Sequence, residues 1–320
     1  MRIFSVLIVG AGKIGAFFDT PQSGHVLTHA HAFTAHTGFQ LAGFVDSNLD
    51  QAKKAASVWG GEAFGSLSDA FSRQAVDVVV VATPDELHYP ILKEVAVHLP
   101  KIVFAEKPLT STLTEADEIS ALYLDKGISL AVNYSRRFVP EIKALRGEIA
   151  AGIYGKYLTG SGYYGKGTLH NGSHMIDLVR YLVNNIKETN TISNNKDFYE
   201  TDPSCSAALT LADETLFYMQ TVDCRCYTVF ELDLFFERCR IRITDAGFKI
   251  ETQKVCNSSR FIGYHNLEIA NIIDTQLDNA LFAATCNIHD HLALGIPLLC
   301  DGEDGQRAIA VSCKILRAVQ

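Results

Sequence analysis

The 320-residue sequence predicts an α/β protein: a parallel, doubly wound sheet first, then an α+β half with an open-faced, largely antiparallel sheet. Three observations predict this. Strand-like and helix-like segments alternate over the first third, the pattern of βαβ units. After about residue 133, strand-like segments follow one another without helices between them, as in an antiparallel sheet. The length also exceeds what one ordinary core fills, so two domains are expected, residues 1–132 and 133–320.

Each element has its own signal. Residues 3–9 form an apolar run suited to a buried strand, and 41–45 form a second that ends at Asp46. Residues 76–82 are mostly valine and predict a third. Shorter strands fit 102–105 and 129–133, with helices between them at 51–58, 86–97 and 114–126. The last helix is opened by Thr114 with Asp117 three residues on, the spacing of a capping box. In the second half a glycine- and tyrosine-rich stretch, 152–167, precedes a helix at 174–183. Residues 228–244 alternate clearly, with Phe230, Leu232 and Leu234 facing one way and Glu231 and Asp233 the other. Helices are predicted for 269–294 and 304–318.

Composition narrows the function classes. The formal net charge is −8, so no basic excess exists to neutralise a nucleic-acid backbone. No run reaches the roughly 18 apolar residues of a membrane span. The apolar run 1–9 meets glycines at once and lacks a signal peptide's length and cleavage site. The eight cysteines, all beyond residue 200, match no zinc framework and read as free thiols. A cytoplasmic chain with no nucleic-acid or membrane partner is expected.

The first chemical motif follows the first strand directly: Gly10, Gly12 and Gly15 enclose Lys13 and Ile14 in a GxGxxG turn. Gly10 permits the tight turn, Gly12 lets the backbone approach a pyrophosphate, and Gly15 allows close helix–strand packing. A helix N-terminus beyond it offers amide donors to phosphates. Asp46, at the end of the second strand, suits the adenosine ribose hydroxyls and repels a 2′-phosphate; Ser47 and Asn48 after it supply no arginine. A Rossmann domain holding NAD rather than NADP is expected. The interval from the glycines to Asp46 is longer than the usual ~20 residues. Residues 19–31 therefore read as an insertion, more as a plain surface loop than as a substrate flap.

Polar motifs also end the later strands. Thr83 and Pro84 follow the third, with His88 close behind. Glu106, Lys107 and Pro108 follow the fourth. Ligands in open α/β sheets bind beyond the carboxyl ends of strands, so these motifs predict one crevice. Thr83, Pro84, His88, Glu106 and Lys107 join the glycine turn and Asp46 as candidate cofactor-binding residues.

Together these motifs resemble the glucose–fructose oxidoreductase / inositol dehydrogenase / MocA (Gfo/Idh/MocA) family over essentially the whole chain. The resemblance rests on GAGKIG at 10–15, VATPDELH at 81–88, AEKP at 105–108, NYSRRF at 133–138, GTLHNGSHMIDL at 167–178 and CDGEDG at 300–305. It implies a Rossmann domain plus an open-faced sheet domain that often forms a homodimer or homotetramer interface. It implies that Lys107 lies by the substrate and the nicotinamide, on a turn whose proline is often cis. It implies that His174 is the general acid or base, a role suited to a near-neutral pKa. Many members carry an aspartate four residues before that histidine; this chain has His170 there, which is assigned to substrate or shared proton transfer. Asp177 reads as structural. The pair His170 and His174 also fits a metal-ligand spacing, but the glutamate of HExxH is absent and the family needs no metal, so none is expected.

Arg136, Tyr164, Lys166 and Asn171 are the candidate substrate-binding residues. Tyr163 and Tyr164 face opposite ways in a strand, so at most one points into a pocket. Arg136 and Arg137 each suit an anionic substrate group or a strand-end salt bridge. The implied activity is hydride transfer between NAD and a secondary alcohol of a sugar, cyclitol or nucleotide-sugar. A reductase like biliverdin reductase or dihydrodiol dehydrogenase is an alternative. So is a non-catalytic dinucleotide-binding regulator, which is expected to lose the lysine or the histidine.

Overall fold

The computed structural model describes residues 2–318. Phe4–Val9 (β1), Phe39–Val45 (β2), Glu62–Phe64 (β3), Val78–Val81 (β4), Ile102–Ala105 (β5) and Ser129–Val132 (β6) form a parallel sheet in the order β3-β2-β1-β4-β5-β6. This is the strand order of a dinucleotide-binding Rossmann domain, with its topological switch between β1 and β4. All four residues of β4 and all four of β5 are fully buried, which is why those strands read as unbroken apolar runs.

His29–Ala35 (α1), Leu49–Trp59 (α2), Leu67–Arg73 (α3), His88–Val97 (α4) and Leu113–Asp125 (α5) connect the strands. Two differences from expectation matter here. The glycine turn opens no α-helix: Lys13–Phe17 is one wide π-turn, after which the chain loops to α1. The capping box of α5 uses Thr112, whose hydroxyl accepts from Glu115 N at 3.2 Å while Glu115 accepts from Thr112 N at 3.1 Å. Thr114 is already inside the helix. The overlapping Thr112/Glu115 spacing carries the longer acid, which reaches back to the cap amide.

Pro140–Ala150 (α6) and Ser173–Leu182 (α7) belong to the second half, with the strands Tyr157–Tyr164 (β7), Ile186–Asn195 (β8), Ser204–Leu211 (β9), Leu216–Thr221 (β10), Phe230–Phe236 (β11), Cys239–Thr244 (β12), Lys249–Asn257 (β13) and His265–Asp274 (β14). Their order is β14-β13-β12-β11-β7-β10-β9-β8, antiparallel at every join but β7–β10. The alternation in β11 holds: Phe230, Leu232, Leu234 and Phe236 are buried and the residues between them are not. The buried face carries α7, where Met175 packs so closely on Gly162 that a Cβ there would lie 2.5 Å from its sulfur. The other face stays open and mixed, exposing Tyr163 and Tyr218 beside Asp233 and Arg240, which pair at 2.8 Å.

Residues 269–274, predicted as helix, are the end of β14; the helix Ala280–Leu294 (α8) begins later, and Gly302–Arg317 (α9) closes the chain. The pairing of β14 with β13 decides this segment, whose short apolar run suits either state. The chain divides into two units, Met1–Phe138 with Asp278–Ile309, and Val139–Leu277 with Ala310–Gln320. Within the first, α8 packs against α1 and the turn 135–138. Among the described residues, no helix is long and apolar enough to cross a membrane.

Candidate active site

In the first unit the three glycines differ as their roles require. Gly10 has φ +98°, and a Cβ there would fall 2.5 Å from the Ala82 carbonyl oxygen. A Cβ on Gly15 would lie 2.0 Å from the Gly10 carbonyl oxygen. Around Gly12 nothing stands within 4 Å of that position, so the turn is open to a ligand. Beside it is a cleft of about 600 Å³, lined among others by Gly10, Gly12, Asp46, Ser66, Thr83 and Pro84. The Asp46 carboxylate accepts from Ala11 N and from Asn48 N, both at 2.9 Å, which fixes it beside the glycine turn. The lining holds no lysine or arginine. The Thr83 hydroxyl is buried without a protein hydrogen-bond partner. An open glycine backbone, an anchored acid and a spare hydroxyl fit a dinucleotide.

Lys13 and Ile14 sit in the π-turn, outside the cleft lining. One turn supplies a weaker dipole than the expected helix, so the phosphates depend on individual amides. His88 corrects another expectation. Its Nδ1 lies 2.6 Å from the Pro108 carbonyl oxygen and its Nε2 lies 2.9 Å from that of Thr83, so the buried ring ties two strand-end turns together. Neither nitrogen is left for a cofactor.

Lys107 follows β5, half-buried, and the Lys107–Pro108 bond is cis. Glu106 beside it points inward rather than to a cofactor. Its Oε1 accepts from His29 Nε2 at 2.8 Å and from Asn133 Nδ2 at 2.7 Å. Burial pushes this carboxyl up, but the His29 hydrogen bond and charge, the Asn133 amide and Lys107 outweigh it and hold it below its ordinary range. His29 belongs to the 19–31 segment, which is not a plain surface loop. Asp19 accepts from Leu27 N, Thr28 Oγ1 and His31 Nδ1 at 2.7, 2.5 and 2.8 Å, and Asp19, Thr28, His29 and His31 are all buried. The two arginines differ in their surroundings. Arg137 grips Asp304 with two bonds of 2.6 and 2.9 Å, the salt-bridge alternative. Arg136 is half-buried, and loss of solvent lowers its pKa to about 10.

The second unit holds the remaining candidates. Tyr164 is not a substrate residue. It is fully buried, donates to the Cys205 carbonyl oxygen at 2.7 Å and accepts from Cys205 N at 3.1 Å. Tyr163 takes the exposed face instead. Lys166, at φ +70°, donates its amide to Asp197 at 2.7 Å and holds its ammonium 5.0 Å from the Phe198 ring centre. Asn171 donates to the Gly165 carbonyl oxygen at 2.8 Å. A π-turn, Thr168–Gly172, runs straight into α7, so His170 stands one turn before His174. His174 lies edge-on to Phe230 at 6.4 Å. Asp177 is buried, 4.0 Å from Arg180.

An acid missed by sequence reasoning supports this turn. Asp202 accepts from Leu169 N at 2.8 Å and from His170 N at 2.9 Å. Burial raises its pKa, only partly offset by those amides and by His170. The usual aspartate position holds His170, yet a carboxylate reaches the same turn from the β8–β9 loop. Nothing local marks Asp202, because its partners lie more than thirty positions away. Among the described residues, no group of three or more His, Cys, Asp or Glu is placed to hold a metal ion.

The model of the oxidoreductase family Gfo/Idh/MocA, NAD-binding Rossmann fold, matches residues 4–134. Residues 4–134 thus match the NAD-binding Rossmann domain of the Gfo/Idh/MocA family. An inositol 2-dehydrogenase from Leifsonia xyli subsp. xyli is 32% identical over 154 residues, 47% of this chain and 41% of that relative. The alignment thus spans under half of that Gfo/Idh/MocA relative's length. The fold is shared throughout. UDP-N-acetylglucosamine 3-dehydrogenase from Acidithiobacillus ferrooxidans superposes with TM-score 0.79 at 20% identity, covering 99% of this chain and 98% of that one. The super-repressor mutant of Gal80p from Saccharomyces cerevisiae does so with TM-score 0.81 at 14% identity, covering 99% and 96%. Such likenesses fix architecture alone, so activity rests on the site residues.

Proposed function

We propose that the chain is an NAD-dependent dehydrogenase acting on a secondary alcohol of a sugar, cyclitol or nucleotide-sugar, in either direction. The observation that carries this is Lys107: half-buried at the carboxyl end of a central strand, on a segment braced from inside by a charged, buried Glu106. A charge kept buried beside a cleft residue is costly and marks a candidate functional site. NAD supplies the hydride acceptor when bound. The open backbone at Gly12 would hold its pyrophosphate, and Asp46 would hold its ribose hydroxyls. The absence of a cation in the cleft lining supports NAD over NADP.

Lys107 donates to the reacting hydroxyl oxygen and stabilises charge as the carbonyl forms. His174 takes the hydroxyl proton, with His170 assisting. Arg136 and Lys166 offer cations to an acidic group on the substrate, with Asn171 holding the Lys166 loop in shape. The open face of the second sheet is the proposed homodimer or homotetramer interface.

Replacing Lys107 with Met tests the assignment. On a panel of polyols and nucleotide-sugars with NAD, turnover of an active substrate should fall about 10²- to 10⁴-fold. NADH binding, followed by its fluorescence, should stay near that of the unaltered chain. Retained turnover overturns the role of Lys107. NADH binding without turnover of any panel member by the unaltered chain favours a binding protein.

A further inference from the structure

Residues 19–31 lengthen the path from the glycine turn to Asp46, and the polar atoms they bury need a reason. Asp19, the first residue of the segment, ties it to its far end through Leu27 N, Thr28 Oγ1 and His31 Nδ1. Thr28 in turn caps α1 by accepting from His31 N at 3.1 Å. His31 packs on Trp59 at 5.3 Å, and Trp59 donates to the Ala16 carbonyl oxygen at 2.8 Å. The clamp fixes the first residue of α1, which is His29. Its ring is wholly buried, edge-on to Phe104 of β5 at 5.1 Å. Nε2 meets Glu106 at 2.8 Å, while Nδ1 has no protein hydrogen-bond partner. A buried histidine with a single polar anchor, aimed at a buried carboxylate next to the reactive lysine, is costly to keep for packing alone.

We propose that His29 is a positioning residue for Lys107: by donating Nε2–H to Glu106, it keeps a negative charge fixed behind the lysine. The inference deepens the dehydrogenase reading and rests on it for the role of Lys107. The groups acting on Glu106 are His29 from α1, Lys107 from the end of β5 and the neutral amide of Asn133 from the end of β6. Without the His29 donor, burial favours the protonated carboxyl. The charge behind Lys107 is then lost and the ammonium form loses an attraction, so Lys107 gives up its proton more easily. Loss of His29 should therefore lower the titration midpoint of Lys107. Glutamine reaches about as far as Nε2 and carries an N–H, so His29→Gln should restore it.

The test needs no substrate. The full chain is labelled with trace acetic anhydride from pH 6 to 11, and the extent at Lys107 is read by peptide mass spectrometry. The expected result for His29→Leu is a Lys107 midpoint lower by about half a pH unit or more, with His29→Gln close to the unaltered chain. Glu106→Gln, which removes the charge with almost no change of shape, should lower it at least as far. That variant also decides the matter if the leucine chain does not fold. An unmoved midpoint in Glu106→Gln or in folded His29→Leu overturns the proposal. So does a glutamine variant that falls as far as leucine, because packing rather than the donated bond would then be at work. Labelling separates this inference from the activity: a chain inactive on every panel substrate can still show the shift, and an active one can lack it.

Discussion

At the scale of single residues, the legible positions were those with local context. The glycine turn follows a buried strand, and Asp46 and Lys107 end strands, so each was identifiable without knowing its neighbours. His29 and Asp202 were not, because their partners, Glu106 and the His170 turn, are 77 and 32 positions away. Tyr164 shows a different limit. Strand parity says that Tyr163 and Tyr164 part company, but only the register against β11 and β10 says which one enters the core. Asp46 is open to a direct check. Replacing it with Ala removes a charged acceptor worth about 1.5–3 kcal/mol, so the KM for NAD should rise roughly 10- to 100-fold. Preference over NADP should shrink with it, because repulsion of the 2′-phosphate goes too. Equal selectivity before and after the change would count against Asp46 as the discriminator.

At the scale of elements, the strands were easier to read than the ends of helices. The parallel strands β4 and β5 are buried on both faces and therefore announce themselves as unbroken apolar runs. The start of α5 was expected at Thr114 with Asp117, whereas the cap is Thr112, whose partner Glu115 three residues on has the longer reach. The difference is measurable in urea unfolding. Thr112→Ala should cost about 1 kcal/mol by removing the cap. Thr114→Ala, inside the helix, should be neutral or slightly stabilising, since alanine is the better helix former. The reverse order would place the cap at Thr114. Residues 269–274 mark the other limit: the isoleucines there suit helix or strand, and the pairing with β13 settles it.

For the whole molecule, the alternation of the first third and the helix-poor stretch after it were enough to reach both sheets, since each sheet's periodicity is written in consecutive residues. What could not be read was which distant segments brace the strand ends. Assembly belongs at this scale as well. The open face presents Tyr163, Tyr218 and the Asp233–Arg240 pair, more aromatic surface than a solvated sheet requires. Sedimentation velocity should give a dimer or tetramer, shifted toward monomer by Tyr218→Glu with the melting temperature little changed. A monomeric unaltered chain removes the open face as an assembly surface.

The Asp19 clamp has a consequence for anyone who shortens this protein. In an alignment with relatives of ordinary spacing, residues 19–31 look like spare length to be trimmed. Cutting them would delete the tooth of a latch whose catch is Glu106, leaving a carboxylate stranded in the interior under an otherwise intact nucleotide cleft. The minimal version of this protein is therefore longer than the usual glycine-to-acid spacing suggests, and the extra length is built into its interior.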